Sequence, residues 1–267
     1  MRPRAEDTIA RLKRTLKRAA RSARHPRRLV EARRIRAGVA EFLGGRRELA
    51  RLEREVRASG LPRHLFEHAR EQQALAAAHG DGYSLGAIGY TEGVYLYAVL
   101  RELRPTLAVE TGVANGFSTA FSLLALEANG HGALYSIDLP RELGREYEPG
   151  AFYDGKGRAG IPAGSEPGWL IPDGLKSRWT LILGRSQEEL PPLLARLGTI
   201  DFFMHDSEHS FDCMWFEFNE AWPRLRRGGV LVSDDVNATD AFPRFTAQTG
   251  RDPIRLAKGM AMLVKGS

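Results

Sequence analysis

The stretch Leu107-Ala108-Val109-Glu110-Thr111-Gly112-Val113-Ala114-Asn115-Gly116-Phe117-Ser118 has the pattern of a buried strand, a glycine-containing turn and a helix start. Glycines allow a tight turn and let a ligand approach the backbone, and a helix N-terminus offers free N–H groups to a negatively charged group. A dinucleotide-binding turn has the spacing G-x-G-x-x-G, but here Ala114 stands where the second glycine would be. The stretch therefore predicts a ligand-binding turn and disfavours NAD.

Strand-like and helix-like segments alternate from about residue 83 onward, which is typical of βαβ units around a parallel sheet. Helices are predicted over 91–103, 116–128, 187–197 and 208–222. Strands are predicted over 107–111, 133–137, 179–183, 200–205 and 229–233, with a final pair near 253–257 and 260–265. The predicted fold class is α/β: a Rossmann-like doubly wound sheet, mostly parallel with an antiparallel last strand, preceded by an N-terminal helical extension.

Charge divides the chain into a basic helical extension, residues 1–80, and a predicted catalytic domain, residues 81–267. The extension holds 21 Lys+Arg against 9 Asp+Glu, whereas the catalytic domain holds 18 against 24. This balance argues against a nucleic-acid groove on the catalytic domain. The basic arm, residues 1–45 with a predicted helix over 6–24, has three possible roles: docking to an anionic membrane surface, contact with a partner or RNA, or a solvated extension.

The sequence predicts a cytoplasmic protein, peripheral to a membrane if the basic arm docks there. No stretch approaches the about 18 apolar residues of a membrane span, and no apolar segment of a secretory signal follows the Arg-rich N-terminus. The single cysteine, Cys213, excludes an internal disulfide and suits a reducing compartment.

Two of the predicted strands lead directly into carboxylates. The run 200–205 is followed by Asp206 and, three residues later, by His209, and the run 229–233 is followed by Asp234-Asp235. Ligands collect at the carboxyl ends of strands in open α/β sheets, so the three aspartates are expected to converge. Close carboxylates repel unless a cation lies among them, and Mg²⁺ prefers oxygen ligands. The set predicts a metal site with His209 as a nearby base, and the alternative is a group of ordinary polar loop residues.

Two further carboxylates, Glu110 and Asp138, lie at the ends of the first two predicted strands. Glu110 would repel phosphates and attract an ammonium group, with a helix cap or an ion pair as its alternative role. Asp138 is placed to accept hydrogen bonds from two ribose hydroxyls. Residues 140–176 are rich in glycine and proline and carry several aromatic residues, which favours a lid that closes over the substrate.

Residues 85–265, approximately, resemble the class I S-adenosylmethionine-dependent methyltransferases, in particular the metal-dependent O-methyltransferases of the catechol and caffeoyl-CoA type. The resemblance rests on Thr91-Glu92-Gly93, on the stretch from Val109 to Ser118 and on Gly184-Arg185-Ser186-Gln187. It implies that the glycine turn holds the methionine part of the cofactor. It also implies that the end of the second strand binds the ribose and that the Ser-Gln pair contacts the adenine. The implied cofactor-binding residues are Glu110, Gly112, Asn115, Gly116, Ser118, Asp138, Ser186 and Gln187.

A histidine three residues after the first metal position replaces the lysine of the catechol-type enzymes. This histidine position is similar to that in the macrolide sugar O-methyltransferases and the cephalosporin-hydroxylase-like proteins. The resemblance implies that His209 is the catalytic base. The implied metal ligands are Asp206, Asp234 and Asp235.

The predicted function is Mg²⁺- and S-adenosylmethionine-dependent methylation of a hydroxyl on a sugar-containing or small-molecule acceptor, with catechol-like phenols second. Two alternatives stay open. One is a non-catalytic S-adenosylmethionine-binding protein that docks to a membrane or a partner through the basic arm. The other is an NAD-type oxidoreductase, which Ala114 and the acidic residues disfavour.

Overall fold

The described residues form a seven-stranded mixed sheet that positions the predicted site. The computed structural model describes residues 26–78, 88–143, 145–146, 148 and 160–266. The strands are β1 Leu107–Thr111, β2 Ala133–Asp138, β3 Trp179–Leu183, β4 Ile200–His205, β5 Leu225–Ser233, β6 Ile254–Arg255 and β7 Ala261–Val264. Their order is β3-β2-β1-β4-β5-β7-β6. Strands β1 to β5 run parallel and β7 is antiparallel to both neighbours, which confirms the predicted fold class.

Helices cover both faces of this sheet. They are α1 Pro26–Phe42, α2 Arg46–Ala58, α3 Leu61–Ala78, α4 Tyr90–Leu103, α5 Phe117–Asn129, α6 Ser186–Leu197, α7 Phe211–Arg224 and α8 Ala241–Thr249, with a 3₁₀ helix over Asp173–Arg178. Successive side chains of a strand point to opposite faces. On β4, Phe202 and Met204 therefore pack on the side of α1 to α5, and Phe203 packs on the side of α6 to α8.

The helices α1 to α3 are packed onto the sheet domain. Val39, Leu52 and Leu65 are buried in the same apolar cluster as α4 and one face of the sheet. The Glu55 carboxylate on α2 accepts hydrogen bonds from the Tyr97 hydroxyl at 2.9 Å and from Arg101 at 2.6 Å on α4. From about residue 39 onward, the predicted extension thus contributes to the main core. The boundary near residue 80 and the lid over 140–176 stay predictions.

The predicted helix over 6–24 and most of the basic arm lie outside the described residues. No helix in the described ranges combines the length and the apolar character that crossing a bilayer requires. Docking of the arm to an anionic surface therefore stays a prediction.

In the sheet domain, two elements start three or more residues away from the sequence prediction. Helix α7 begins at Phe211 and not at 208, because the Ser210 hydroxyl caps it by accepting a hydrogen bond from the Cys213 backbone N–H at 3.3 Å. This cap leaves residues 206–210, which we call the acidic loop, outside the helix. Strand β5 begins at Leu225 and not at 229, because Leu225 pairs with Ile200 before a bulge.

Candidate active site

A cavity of about 540 Å³ opens at the carboxyl ends of β1 to β4. Chain order reverses between the neighbours β1 and β4, and open α/β sheets bind ligands at such a point. Each of the four strands contributes the residues that follow it. The lining includes Gly112 and Ala114 after β1, Asp138 to Arg141 at the end of β2, Gly184 to Gln187 after β3 and the acidic loop after β4.

The turn between β1 and α5 has three left-handed residues, Gly112 at φ 86°, Ala114 at φ 44° and Gly116 at φ 90°. The Gly112 N–H donates to the Ile137 carbonyl at 2.9 Å, which joins the turn to β2. A side chain at Gly112 would lie 1.9 Å from the Asp206 carbonyl oxygen. The close approach of β1 and the acidic loop therefore requires glycine here.

Both predicted cofactor carboxylates accept hydrogen bonds from neighbouring residues. Glu110 is buried, and its Oε1 accepts from the Thr119 hydroxyl at 2.5 Å and from the Ser136 hydroxyl at 2.7 Å. Burial raises the pKa of Glu110 to about 7. Asp138 Oδ1 accepts from the Val113 N–H at 3.2 Å, and burial raises the pKa of Asp138 to about 6.

One oxygen of each of these carboxylates is buried without a hydrogen-bond partner among the described residues: Glu110 Oε2 and Asp138 Oδ2. A buried polar oxygen without a partner costs free energy unless a ligand satisfies it. Asp138 lines the cavity, so its free oxygen is available to a ligand there, as predicted for a ribose contact. Glu110 is not among the lining residues, and it accepts hydrogen bonds from Thr119 on α5 and Ser136 on β2.

The Asn115 amide group makes hydrogen bonds within the protein, and its contact with the cofactor stays a prediction. Its Nδ2 donates to the Gly160 carbonyl at 3.1 Å, and its Oδ1 accepts from the Trp169 indole N–H at 2.7 Å. Asn115 thus fastens the segment 160–171, part of the predicted lid, onto the turn. Gly116 and Ser118 lie at the start of α5 beside this segment and are not among the cavity lining.

The predicted adenine contacts lie at the start of α6. Ser186 is the first residue of this helix and Gln187 the second, and both line the cavity. The Ser186 hydroxyl is 3.8 Å from the Cys213 sulfur. Cys213 itself is a buried thiol whose pKa burial raises to about 12, so it is not a nucleophile.

Asp206, His209 and Asp234 form an acidic cluster at the ends of β4 and β5. Their possible ligand atoms lie within 4.8 Å of one another. Burial and the neighbouring Asp234 carboxylate raise the pKa of Asp206 well above its usual value. Burial is the main reason, and the charge of Asp235 the second, that the pKa of Asp234 is raised to about 6. Mutual repulsion of this kind is what a bound cation relieves.

Asp235 lies on the other side of the His209 ring, so the structure does not bring the three aspartates into one group. Its Oδ2 is 3.7 Å from His209 Nδ1, while Asp206 Oδ1 is 3.8 Å from His209 Nε2. The Asp235 backbone is left-handed, with φ 45°, and its side chain is 62% exposed. Burial lowers the pKa of His209 to about 4, so the imidazole is neutral at neutral pH.

The sequence prediction missed Glu217, which forms a buried pair with His205 behind the acidic loop. His205 Nδ1 lies 2.6 Å from Glu217 Oε2, and both side chains are fully buried. Helical spacing could have revealed Glu217, because it lies four residues from Cys213 and four from Ala221 on the buried face of α7.

Comparisons with known proteins agree with this geometry. Residues 109–236, from β1 to just beyond β5, match the family described as "Methyltransferase domain". The O-methyltransferase NovP is 15% identical with a TM-score of 0.53, over 67% of this chain and 81% of NovP. The SAH-bound Podospora anserina methyltransferase PaMTH1 is 14% identical with a TM-score of 0.51, over 78% of this chain and 88% of its own. No curated protein matches the sequence.

The strand order and the position of the cavity are those of a class I methyltransferase fold. The two solved structures share this fold, and because their sequence identities are low they show the fold alone. The family match shows a methyltransferase domain over residues 109–236 of this chain. This confirms the resemblance found in the sequence and the prediction of a methyltransferase.

Proposed function

We propose that the enzyme transfers the methyl group of S-adenosylmethionine to a hydroxyl of a sugar-containing or small-molecule acceptor, supported by a divalent cation such as Mg²⁺. One observation carries this proposal. A free Asp138 oxygen at the end of β2 and two members of the acidic cluster, Asp206 and His209, line one cavity. PaMTH1 is described as SAH-bound and NovP as an O-methyltransferase, and both have this fold.

The cavity residues suit S-adenosylmethionine. Asp138 Oδ2 has no hydrogen-bond partner among the described residues and is available to ribose hydroxyls. Gly112 keeps the turn free of a side chain where β1 meets the acidic loop, and Gln187 lies at the β3 end, where the resemblance places adenine. These contacts leave the acidic cluster for the acceptor.

The acidic cluster suits a hard divalent cation. Asp206 and Asp234 offer carboxylate oxygens, and burial together with neighbouring carboxylates raises the pKa of both, which a bound cation would counteract. When bound, the cation lowers the pKa of the acceptor hydroxyl and S-adenosylmethionine supplies the methyl group. Asp206 and Asp234 are the proposed ligands.

His209 is the proposed base. The C–O bond forms as the C–S bond of the sulfonium breaks, and the hydroxyl proton passes to His209 Nε2, which has no hydrogen-bond partner among the described residues. The Asp235 carboxylate, 3.7 Å from Nδ1 on the other side of the ring, then stabilises the imidazolium. Asp235 thus takes the role of orienting the base and not that of a third metal ligand.

A methyl-transfer screen tests the proposal. The full chain is incubated with methyl-labelled S-adenosylmethionine and a panel of glycosides, nucleotide sugars and catechols, with Mg²⁺ or with EDTA. We expect labelled product from a sugar hydroxyl, loss of the activity in EDTA and recovery on adding Mg²⁺. Full activity in EDTA would remove the cation from the mechanism. Binding of NAD in place of S-adenosylmethionine would favour the oxidoreductase alternative.

The affinity for S-adenosylmethionine should fall at acid pH, because Asp138 accepts the ribose hydrogen bonds best as a carboxylate. Burial raises the pKa of Asp138 to about 6, so this carboxylate is present above that pH and is lost as the pH falls through it. We expect calorimetry to give a Kd about tenfold weaker at pH 5 than at pH 8, since roughly one tenth of the group is ionised at pH 5. Asp138→Asn should bind weakly at both values. A wild-type Kd that is equal at the two pH values would contradict this role.

A further inference from the structure

The Glu217 carboxylate on α7 is fully buried and joins four parts of the structure. Its Oε2 accepts hydrogen bonds from the Thr111 hydroxyl and from His205 Nδ1, the latter at 2.6 Å. Its Oε1 accepts from the Ser207 hydroxyl at 2.7 Å and from the Cys213 thiol at 3.4 Å. These donors belong to the end of β1, the end of β4, the acidic loop and the first turn of α7.

A carboxylate is kept in the interior only where hydrogen bonds replace its water. Burial by itself would raise the pKa of Glu217, but the His205 imidazole and the hydroxyl donors bring it below its usual value. An ionised carboxyl group can accept hydrogen bonds from all four donors. A neutral amide of the same shape cannot, because one of its two ends is itself a donor. The charge is therefore needed for the four connections to exist together.

Two of these connections enclose Asp206. His205 precedes it, Ser207 follows it, and both are tied to Glu217. The fixed His205 ring also meets the His209 ring edge to face, with centroids 5.3 Å apart and an interplanar angle of 88°. The acidic cluster thus rests on side chains whose places Glu217 determines.

We propose that Glu217 is a positioning residue, which holds His205 and Ser207 on either side of Asp206 and so fixes Asp206 and His209 for cation binding and proton transfer. The inference rests on the proposed function of those two residues. Glu217 itself is not among the residues that line the cavity. Its effect on the reaction passes through the acidic loop.

The test is Glu217→Gln, which keeps the shape and removes the charge. The Gln amide group presents N–H to His205 or to a hydroxyl donor, so at least one tie to the loop is lost. We expect Mn²⁺ affinity, measured by calorimetry, and kcat each to fall about 10- to 100-fold. The Kd for S-adenosylmethionine should stay within about twofold, because the Gly112 N–H bond to the Ile137 carbonyl and the Val113 N–H bond to Asp138 do not involve Glu217.

Glu55→Gln is the matched control, since Glu55 also accepts hydrogen bonds from a tyrosine and an arginine but lies on α2. It should lower the melting temperature and leave Mn²⁺ affinity and kcat as in the wild type. If Glu217→Gln does not fold, Ser207→Ala removes one donor only and should lower kcat by about tenfold.

The outcomes separate the two proposals. Wild-type Mn²⁺ affinity and kcat in Glu217→Gln, or in Ser207→Ala if the first variant does not fold, would overturn the positioning role and leave the proposed function standing. A wild-type protein that binds no Mn²⁺ would overturn the proposed function, and the positioning role with it. Equal losses in Glu55→Gln would show a general effect of stability and would also overturn the inference.

Discussion

Gly112→Ala is expected to lower the free energy of unfolding by about 4 kcal/mol, the sum of a left-handed backbone strain and a steric overlap. Gly112 has φ 86°, and an added Cβ would lie 1.9 Å from the Asp206 carbonyl oxygen and 2.7 Å from the Ser207 nitrogen. Both contacts are with backbone atoms, so no side chain can move aside. The turn and the acidic loop would have to separate, which opens the floor of the cavity.

Gly130→Ala provides a matched control for the steric part. Gly130 ends α5 with φ 74°, and an added Cβ there would meet no heavy atom within 4 Å. Its expected cost is about 1 kcal/mol, from the left-handed conformation only. Urea unfolding of the two variants without ligand measures the difference. Equal losses of unfolding free energy at the two positions would mean that the turn after β1 and the acidic loop do not approach each other this closely.

The sequence could predict the strands that carry the site because each is an apolar run with clear ends. Strands β1, β3 and β4 have the predicted limits, since turn or polar residues bound the runs on both sides. The start of β5 was not predictable, because Leu225 is placed by pairing with Ile200 and not by local sequence. Strand pairing is a long-range effect that periodicity does not contain.

The convergence of Asp206 and Asp234 followed from a general rule about strand ends, whereas the position of Asp235 did not. Its left-handed backbone, φ 45°, turns the side chain to the far side of His209, and a non-glycine residue with positive φ is rarely predictable. The hydrogen bonds of Asn115 could not be predicted from local sequence either. Its amide serves the segment 160–171, which lies far along the chain.

Asp206→Asn is expected to reduce kcat by at least about 100-fold. A divalent ion contributes several kcal/mol to such a step, and each 1.4 kcal/mol is about a factor of ten. In EDTA the same substitution should raise the free energy of unfolding, because it removes a buried carboxyl group that Asp234 repels. Loss of activity with a gain in stability would mark Asp206 as a functional residue.

Asp201→Asn is the control at the other end of β4. The Asp201 carboxylate accepts hydrogen bonds from the Thr106 and Leu107 N–H groups, each at 2.8 Å, and from Arg226 at 2.5 Å. Its loss should therefore lower stability and leave cation binding unchanged. Asp201 near the start of β4 and Asp206 just after its end are expected to change stability in opposite directions. A stability loss in Asp206→Asn would contradict the repulsion described here.

Calorimetric titration with Mn²⁺ at neutral pH, in the presence of S-adenosylhomocysteine, tests the central claim most directly. The wild type and Asp201→Asn are expected to bind a single ion, and Asp206→Asn none. Unchanged Mn²⁺ binding after Asp206→Asn, or no binding by the wild type, would contradict a cation site at the ends of β4 and β5.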